Sequence, residues 1–474
     1  MRDLLRHRPS PQVVVACLAL VLVLGGTSFA AASKLLRKNS VGSAQVINGS
    51  LQTKDLSKSA IAALHGLRGP VGLTGIQGAA GTSGAQGAKG DQGAAGAQGV
   101  QGSQGLPGTA FARLSPRANG FTTVDGIVGT GRYTSVAIGV DGRPLISYED
   151  DVSEDLKVAH CENTACTTAT VTTLDSGGDV GRNTSVTIGA DGLGLISYLD
   201  LSNVDLKVAH CDNVACTSAT LHTLDSAGLV GEFTSATLGA DGRVLMSYYD
   251  ASNGDLKVAH CTNVGCTSAD TSAIDTVGDV GELSSATIGS DGLGLISYHD
   301  KTNQDLKVAH CDDLECTSAS RHTLDSGGSV GFYTSATLGA DGLVLISYYD
   351  FTNNDLKVAH CVDVGCTNAF TNTLDAPGDV GQFTSLALGT DGLGLIGYWD
   401  NTNQALKVAH CRNPVCTSAT TSTLAGGLSA FAGWNGVAVG VDGLPLIAYE
   451  DGTTAVLKAA HCASAFCVPF VRRR

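Results

Sequence analysis

A six-residue motif recurs along this chain of 474 residues, and its spacing constrains the fold more than any other feature of the sequence. Leu-Lys-Val-Ala-His-Cys repeats every 50 residues, with a variant, Leu-Lys-Ala-Ala-His-Cys, in the last copy. Each repeat holds four short strand-like runs, and an Asp-Gly pair between the first two runs is a strong hairpin signal. Seven such units, with no helical period, predict an all-β, seven-bladed β-propeller with four-stranded blades and ~50-residue repeats. The copies begin at Leu156, Leu206, Leu256, Leu306, Leu356, Leu406 and Leu457.

The likeness of the copies also indicates a closed ring. An open solenoid is the alternative, but its end repeats would need distinct polar caps. The first run of each repeat is rich in Ser and Thr and is expected at the crowded channel wall, with the third and fourth runs outside. Residues 121–125 match the fourth run of other repeats and are expected to complete the last blade, although residues 468–471 could fill the same place. The propeller head is therefore assigned to residues 118–474.

A different period precedes the head. Over residues 66–108 every third residue is Gly, fifteen times in register. The triple helix explains this period, because only Gly fits where three polyproline-II-like chains meet on one axis. A collagen-like stalk is therefore assigned to residues 66–110, and it implies a homotrimer. A flexible linker is the alternative, since Pro70 and Pro107 are the only prolines in the stretch.

The N-terminus has the pattern of an export segment. Residues 1–12 carry Arg2, Arg6 and Arg8, and an apolar run follows at residues 13–24. Residues 1–33 are expected to form an apolar helix that is either a cleaved signal peptide or a retained membrane anchor. Residues 34–65 form a basic neck in which an aliphatic residue recurs every five positions, from Val41 to Ile61. A plain polar linker is the alternative for this neck.

The basic segment at residues 33–42, which leads toward the Gly-X-Y triplets, resembles the corresponding part of bacterial collagen-like surface proteins. The resemblance covers about residues 1–110. It implies a protein outside the cytoplasm, at the cell surface or secreted, and display rather than a reaction. Contact with a membrane is expected only through the N-terminal segment.

Fourteen of the 15 cysteines form seven Cys-x4-Cys pairs. Across a tight hairpin this spacing brings the two Cβ atoms close enough for a disulfide. A zinc site is the alternative, but two Cys and the preceding His supply one ligand too few for a closed site. The expected disulfides are Cys161–Cys166, Cys211–Cys216, Cys261–Cys266, Cys311–Cys316, Cys361–Cys366, Cys411–Cys416 and Cys462–Cys467, and no metal site is expected.

Other repeated polar residues are expected to be structural. A His precedes the first Cys in every repeat, and a residue needed seven times serves packing or hydrogen bonding. The loop of Asp200, Asn203 and Asp205 fits an Asx-turn. Weak calcium binding there is the alternative, although the loop lacks the ligand pattern of an EF-hand. No cofactor is otherwise expected.

Charge narrows the possible partners. Residues 1–117 carry a net charge of +9, and residues 118–474 carry −24. A head this acidic is a poor match for nucleic acid, which is bound through a basic face.

The repeats differ most at two series of positions, which are expected to surround one mouth of the channel. The first series lies just before the innermost strand, and the second precedes the loop Asp of each repeat. Aromatic residues, two Arg and two Glu could stack sugar rings or grip a peptide, so these positions are the candidate ligand-binding surface. Its residues are Arg132, Arg182, Glu232, Glu282, Phe233, Phe332, Tyr333, Gln382, Phe383, Trp399 and Trp434.

These features favour a trimeric, exported protein that displays an acidic propeller head for a glycan or protein ligand. One alternative is a surface glycoside hydrolase that uses Glu232 and Glu282 as its carboxylate pair. The second alternative is a structural coat component. No catalytic residue is expected under the leading interpretation, because the sequence shows no Ser/His/Asp set, phosphate loop or zinc motif.

Overall fold

The computed structural model describes residues 118–429 and 434–468, and the expected signal or anchor, neck and stalk lie outside the described residues. The described residues form 28 strands in seven four-stranded antiparallel sheets, so the predicted seven-bladed propeller is confirmed. No helix long and apolar enough to cross a membrane occurs in this part of the chain. The strands of the first three blades are β2 (Thr130–Ile138), β3 (Pro144–Asp150), β4 (Asp155–Cys161) and β5 (Ala169–Asp175); β6 (Val180–Ile188), β7 (Gly194–Asp200), β8 (Asp205–Cys211) and β9 (Ala219–Asp225); and β10 (Val230–Leu238), β11 (Val244–Asp250), β12 (Asp255–Cys261) and β13 (Ala269–Asp275).

The remaining four blades follow the same order from the channel outward. In the seventh blade the outermost strand comes from the start of the head. These strands are β14 (Val280–Ile288), β15 (Gly294–Asp300), β16 (Asp305–Cys311) and β17 (Ala319–Asp325); β18 (Val330–Leu338), β19 (Val344–Asp350), β20 (Asp355–Cys361) and β21 (Ala369–Asp375); β22 (Val380–Leu388), β23 (Gly394–Asp400), β24 (Ala405–Cys411) and β25 (Ala419–Gly426); and β26 (Asn435–Val439), β27 (Pro445–Asp451), β28 (Val456–His461) and β1 (Gly120–Asp125).

The ring closes through β1, which pairs antiparallel with β28. Gly120 lies opposite His461, and Thr123 lies opposite Lys458. Closure by the N-terminal strand, which the sequence favoured over closure by residues 468–471, is therefore what the structure shows. This arrangement joins the two ends of the head in one blade.

The hydrophobic core lies between blades rather than within them. Seven buried clusters each draw residues from two neighbouring blades, so a single blade cannot bury its own apolar face. In the cluster between blades 1 and 2, for example, Leu145 and Leu156 of blade 1 pack with Ile196 and Tyr198 of blade 2. The disulfide of Cys211 joins the same cluster.

All seven predicted disulfides are present, with Cα–Cα distances of 4.7–4.9 Å. The repeated His residues are also structural. In every blade the Nε2 atom of the His lies 2.9–3.1 Å from the Oδ2 atom of the Asp in the first hairpin turn. The disulfide closes the turn after the third strand, and the His–Asp contact ties that strand to the first hairpin of the same blade.

A buried Asp–Lys–Tyr clamp joins neighbouring blades. At the junction of blades 1 and 2, the carboxylate of Asp175 accepts hydrogen bonds from Tyr198 Oη at 2.7 Å and from Lys207 Nζ at 2.6 Å. Six described junctions carry the equivalent Asp. At the junction of blades 6 and 7 the position holds Ala425, and Lys458 pairs with Asp451 of its own blade.

A belt of serine hydroxyls joins the innermost strands. The Oγ atom of Ser185, for example, accepts the backbone N–H of Ala236 in the next blade at 3.0 Å. The same bond recurs at six junctions with N–O distances of 3.0–3.1 Å. At the junction of blades 7 and 1 the Ser is replaced by Gly436, where an added Cβ would lie 3.1 Å from the backbone N of Val136. Close backbone approach takes the place of the hydroxyl at this seam.

Candidate functional site at the channel mouth

The candidate site is the mouth of the central channel where the loops between the second and third strands meet the loops that lead into the first. The two sets of loops touch, since the N–H of Asp151 donates to the carbonyl of Gly129 at 2.8 Å. The predicted convergence of these loops on one face is therefore what the structure shows. We call this the mouth face.

A collar of side chains surrounds the channel at this mouth. Each innermost strand of blades 1–6 carries two register shifts, and the residue at the shift has a left-handed φ of 51–54°. This conformation is uncommon outside Gly, and it turns one side chain per blade toward the channel. Together with one residue of blade 7, these side chains line a cavity of about 220 Å³. The collar comprises Tyr133, Asn183, Phe233, Leu283, Tyr333, Phe383 and Trp434.

Four collar residues form a continuous arc of rings over blades 5, 6, 7 and 1. The centroid distances are 4.3 Å from Tyr333 to Phe383, 4.8 Å from Phe383 to Trp434 and 4.4 Å from Trp434 to Tyr133. The rings are tilted against one another by 38–56° and remain partly exposed. Below them the Ser and Thr hydroxyls of the innermost strands line the cavity. An apolar ring surface therefore stands over a polar floor.

The candidate residues just before the collar lie on its outer rim. Both rim arginines are occupied, because Arg132 pairs with Asp151, and Arg182 contacts Asp179 at 2.9 Å. Arg182 Nε also lies 3.3 Å from Oε1 of Glu149. Neither guanidinium is thus free to hold a ligand carboxylate without giving up a bond.

The two candidate rim glutamates differ in their surroundings. Glu282 accepts a hydrogen bond from Lys301 Nζ at 2.8 Å. Burial and the neighbouring carboxylate of Glu282 raise the pKa of Glu232. Gln382 binds Asp379 with its amide at 3.0 Å. The rim of blades 2–4 and 6 is therefore polar, with carboxylates in excess over cations.

The second divergent series does not reach the mouth, and the expectation for Trp399 is corrected here. Trp399 is 1% exposed and packs in the core between blades 6 and 7. Its equivalents are buried as well, and four of them contact a residue of the following blade. Tyr249 donates to Asp279 at 2.6 Å, and His299 stacks on Phe332 with a centroid distance of 4.1 Å. The residues of this series therefore contribute to the packing between neighbouring blades.

Two members of that inter-blade series are buried carboxylic acids. Glu149 is fully buried, and burial raises its pKa to about 7 despite the opposing effect of Arg182 and Arg132. Burial likewise raises the pKa of Glu450 to about 7. Because both acids lie beneath the surface, they act on stability rather than on a ligand.

The loop considered for calcium is held by its own side chains. Asp200 Oδ1 accepts the N–H of Asn203 at 2.9 Å, and Asp200 Oδ2 accepts the amide of Asn203 at 3.0 Å. Lys207 Nζ lies 3.4 Å from the same Oδ2 atom. Within the described ranges, no three His, Cys, Asp or Glu side chains are grouped to hold a metal ion.

Two aromatic residues of the mouth face were absent from the sequence-based candidates. Tyr133 closes the ring arc, and Phe351 lies in the loop between β19 and β20. Phe351 is 59% exposed, and its ring centroid lies 5.5 Å from that of Phe332. A signal for Phe351 existed, since the equivalent position in the other repeats never holds an aromatic residue.

Comparison with known proteins agrees with the two-part organisation. Residues 63–113 match the collagen triple helix repeat family. The chain joins a collagen-like stalk to a propeller head. No curated protein matches this sequence.

Several solved structures resemble part of this chain at low sequence identity. An α-L-arabinofuranosidase from Fusarium graminearum is 11% identical over 65% of this chain and 97% of its own, with a TM-score of 0.43. Hydrazine synthase from Kuenenia stuttgartiensis is 9% identical over 72% of this chain and 98% of its own, with a TM-score of 0.49. A leech intramolecular trans-sialidase is 10% identical over 75% and 71%, with a TM-score of 0.43. At such values, no function follows from these structures.

Proposed function

We propose that this protein is an exported, trimeric binding protein whose propeller head holds a ligand, most readily a glycan, at the mouth of the channel. The observation that carries the proposal is the arc of Tyr133, Trp434, Phe383 and Tyr333 above a cavity of about 220 Å³. A concave site with an apolar wall and a few polar groups is the usual form of a small-ligand site. The apolar face of a sugar ring packs on aromatic rings, while its hydroxyls bond to a polar floor.

The collagen-like stalk supports the trimeric part of the proposal. Three heads on one stalk would bind a repetitive surface with an avidity well above that of one site. The seven disulfides support export, because such bonds persist in oxidising compartments. The three mouths would then act together on one target.

The binding test uses the purified full-length protein on an array of neutral and charged glycans. We expect retention of neutral glycans, and we expect Trp434→Ala to abolish it by removing the centre of the arc. The matched control is Phe370→Ala, because Phe370 is 60% exposed but lies on the outermost strand β21. Binding by no glycan, or equal binding by Trp434→Ala, would contradict the proposal.

Trimerisation is tested separately by analytical ultracentrifugation of the full-length protein. A mass of three chains, which falls to one when the collagen-like stalk is melted, is the expected result. A monomer at all temperatures would remove the avidity argument but would leave the single-site proposal intact.

A further inference from the structure

We infer that the ligand is an extended, uncharged oligosaccharide that leaves the channel mouth over blade 5, held by an aromatic ladder of Tyr333, Phe332 and Phe351. This inference rests on the proposed glycan-binding function and adds the direction, length and charge of the ligand. The ladder starts at the collar, since Tyr333 lines the cavity. It continues outward by centroid steps of 6.5 Å to Phe332 and 5.5 Å to Phe351. Such steps are close to the advance of one sugar unit in an extended chain.

The fold does not require aromatic residues at these two rungs. In blades 1 and 4 the two equivalent positions are joined by an ion pair. Arg132 pairs with Asp151 in blade 1, and in blade 4 Lys301 Nζ lies 2.8 Å from Glu282 Oε1. Blades 2, 3 and 6 hold a polar residue at the first position and no aromatic residue at either, so blade 5 alone among the described pairs places two rings there. Contact with a ligand accounts for this exception.

Buried neighbours hold the ladder in place. Phe332 stacks on His299, which is 1% exposed and whose Nδ1 lies 2.9 Å from the carbonyl oxygen of Val330. Phe351 meets the edge of Tyr349 at 6.2 Å, and the hydroxyl of Tyr349 donates to Asp379 at 2.8 Å. The rungs are therefore preorganised, which lowers the entropy that binding must overcome.

Charge indicates which sugars fit. Arg132, Arg182 and Lys301 on the mouth face are each within 4 Å of a carboxylate. Glu232 and Asp379 add further negative charge near the collar. This excess of carboxylates would repel a uronate or sialate chain, whereas a neutral chain carries no charge to be repelled. We therefore assign the ladder to neutral chains.

The test is isothermal titration of the full-length protein with neutral β-linked oligosaccharides of one to six units, in the cello and the chito series. We expect the affinity to rise with length up to about four units and then to level off. Phe351→Ala should weaken binding of the hexasaccharide about tenfold and leave that of the disaccharide unchanged. Phe370→Ala, an equally exposed Phe off the ladder, should change neither.

The outcomes separate this inference from the function on which it rests. Binding that does not depend on length, or is unaffected by Phe351→Ala, overturns the ladder and leaves glycan binding in place. Absence of any oligosaccharide binding overturns both. Tighter binding of a hyaluronan hexasaccharide than of the neutral series overturns the charge argument. If the protein binds peptides in a way that depends on Phe351 and binds no oligosaccharide, the site is a peptide site and the inference is overturned.

Discussion

Removing one buried clamp carboxylate should destabilise the head by about 2–3 kcal/mol at neutral pH. The change is Asp175→Asn, which keeps the shape of the side chain and removes its charge. Asp175 and Lys207 have side chains that are 7% and 15% exposed, so both ends of the pair lie in the protein interior. Loss of one partner of a buried pair costs roughly 3–5 kcal/mol. A value at or just below the bottom of this range is expected here because Lys207 keeps a second carboxylate, Asp200, at 3.4 Å.

The pH dependence identifies the cause. Burial alone would raise the pKa of Asp175, but hydrogen bonds from Lys207, Tyr198 and the amide of Gly177 outweigh it and leave the pKa below its ordinary value. A carboxyl whose pKa is lower in the folded state stabilises that state above the unfolded pKa of about 3.9. This contribution is lost as the pH falls through the folded pKa. The difference between wild type and Asp175→Asn should therefore be large at pH 7 and shrink below pH 4.

The assay is urea unfolding followed by circular dichroism at pH 7, 5 and 3.5, with the disulfides intact. Asp141→Asn is the control, because Asp141 is partly exposed and pairs with a His rather than with a Lys. A destabilisation below about 0.5 kcal/mol at pH 7, in the range of an exposed ion pair, would refute the reasoning. A difference that is the same at pH 7 and pH 3.5 would refute the assignment to charge.

Three further predictions concern the junctions between blades. Ala425→Asp should supply the missing clamp carboxylate for Lys458 and stabilise the head by about 1 kcal/mol. The gain would be measured as a higher urea midpoint. No gain would show that the pairing of Lys458 with Asp451 is already sufficient. Gly397→Ser should destabilise the head by about 1–3 kcal/mol, because the added Cβ would lie 2.5 Å from Oδ1 of Asn435. The double variant with Asn435→Thr restores the Ser–Thr hydroxyl contact found at other junctions and should recover the lost stability. If it does not, the clash is not the cause. Glu149→Gln should match wild type near pH 4 and be more stable than wild type by about 1–3 kcal/mol at pH 8. Burial raises the folded-state pKa of Glu149 to about 7, so wild type loses stability as the pH rises from the unfolded pKa of about 4.3 to the folded one. A pH-independent difference in unfolding free energy would contradict this.

Most of the fold could be predicted from the repeat period of the sequence. Seven copies of a four-run unit led to the propeller, and the Cys-x4-Cys spacing led to the disulfides. Even the closing strand could be inferred, since residues 121–125 repeat the pattern of the outermost strands. These features depend on local pattern and on repetition, which are visible in one chain.

The site was harder to predict because its assignment depends on which neighbour each side chain faces. Trp399 and Phe351 both vary among the repeats, yet one is 1% exposed and the other 59%. A sign of this was present in the sequence, since Glu149 precedes a repeat with Arg182 at the matching rim position. A comparison of each residue with its expected neighbour in the next repeat, rather than with the same position in the other repeats, would have separated the inter-blade series from the candidate ligand surface.

The strand that closes the ring is also the first strand that the structure describes after the collagen-like stalk. Tension along the stalk would therefore reach the head at Asn119, whose amide donates to the carbonyl of Cys467 at 2.8 Å, and then load β1 against β28. At its other end β1 presents Asp125 to Lys157 and Tyr148 of blade 1, at 2.8 Å in each case. A pull on a bound head is thus shared by two blades at the single seam of the ring. Within the described residues, the pairing of β1 with β28 is therefore the first strand pairing of the head that such a pull would load.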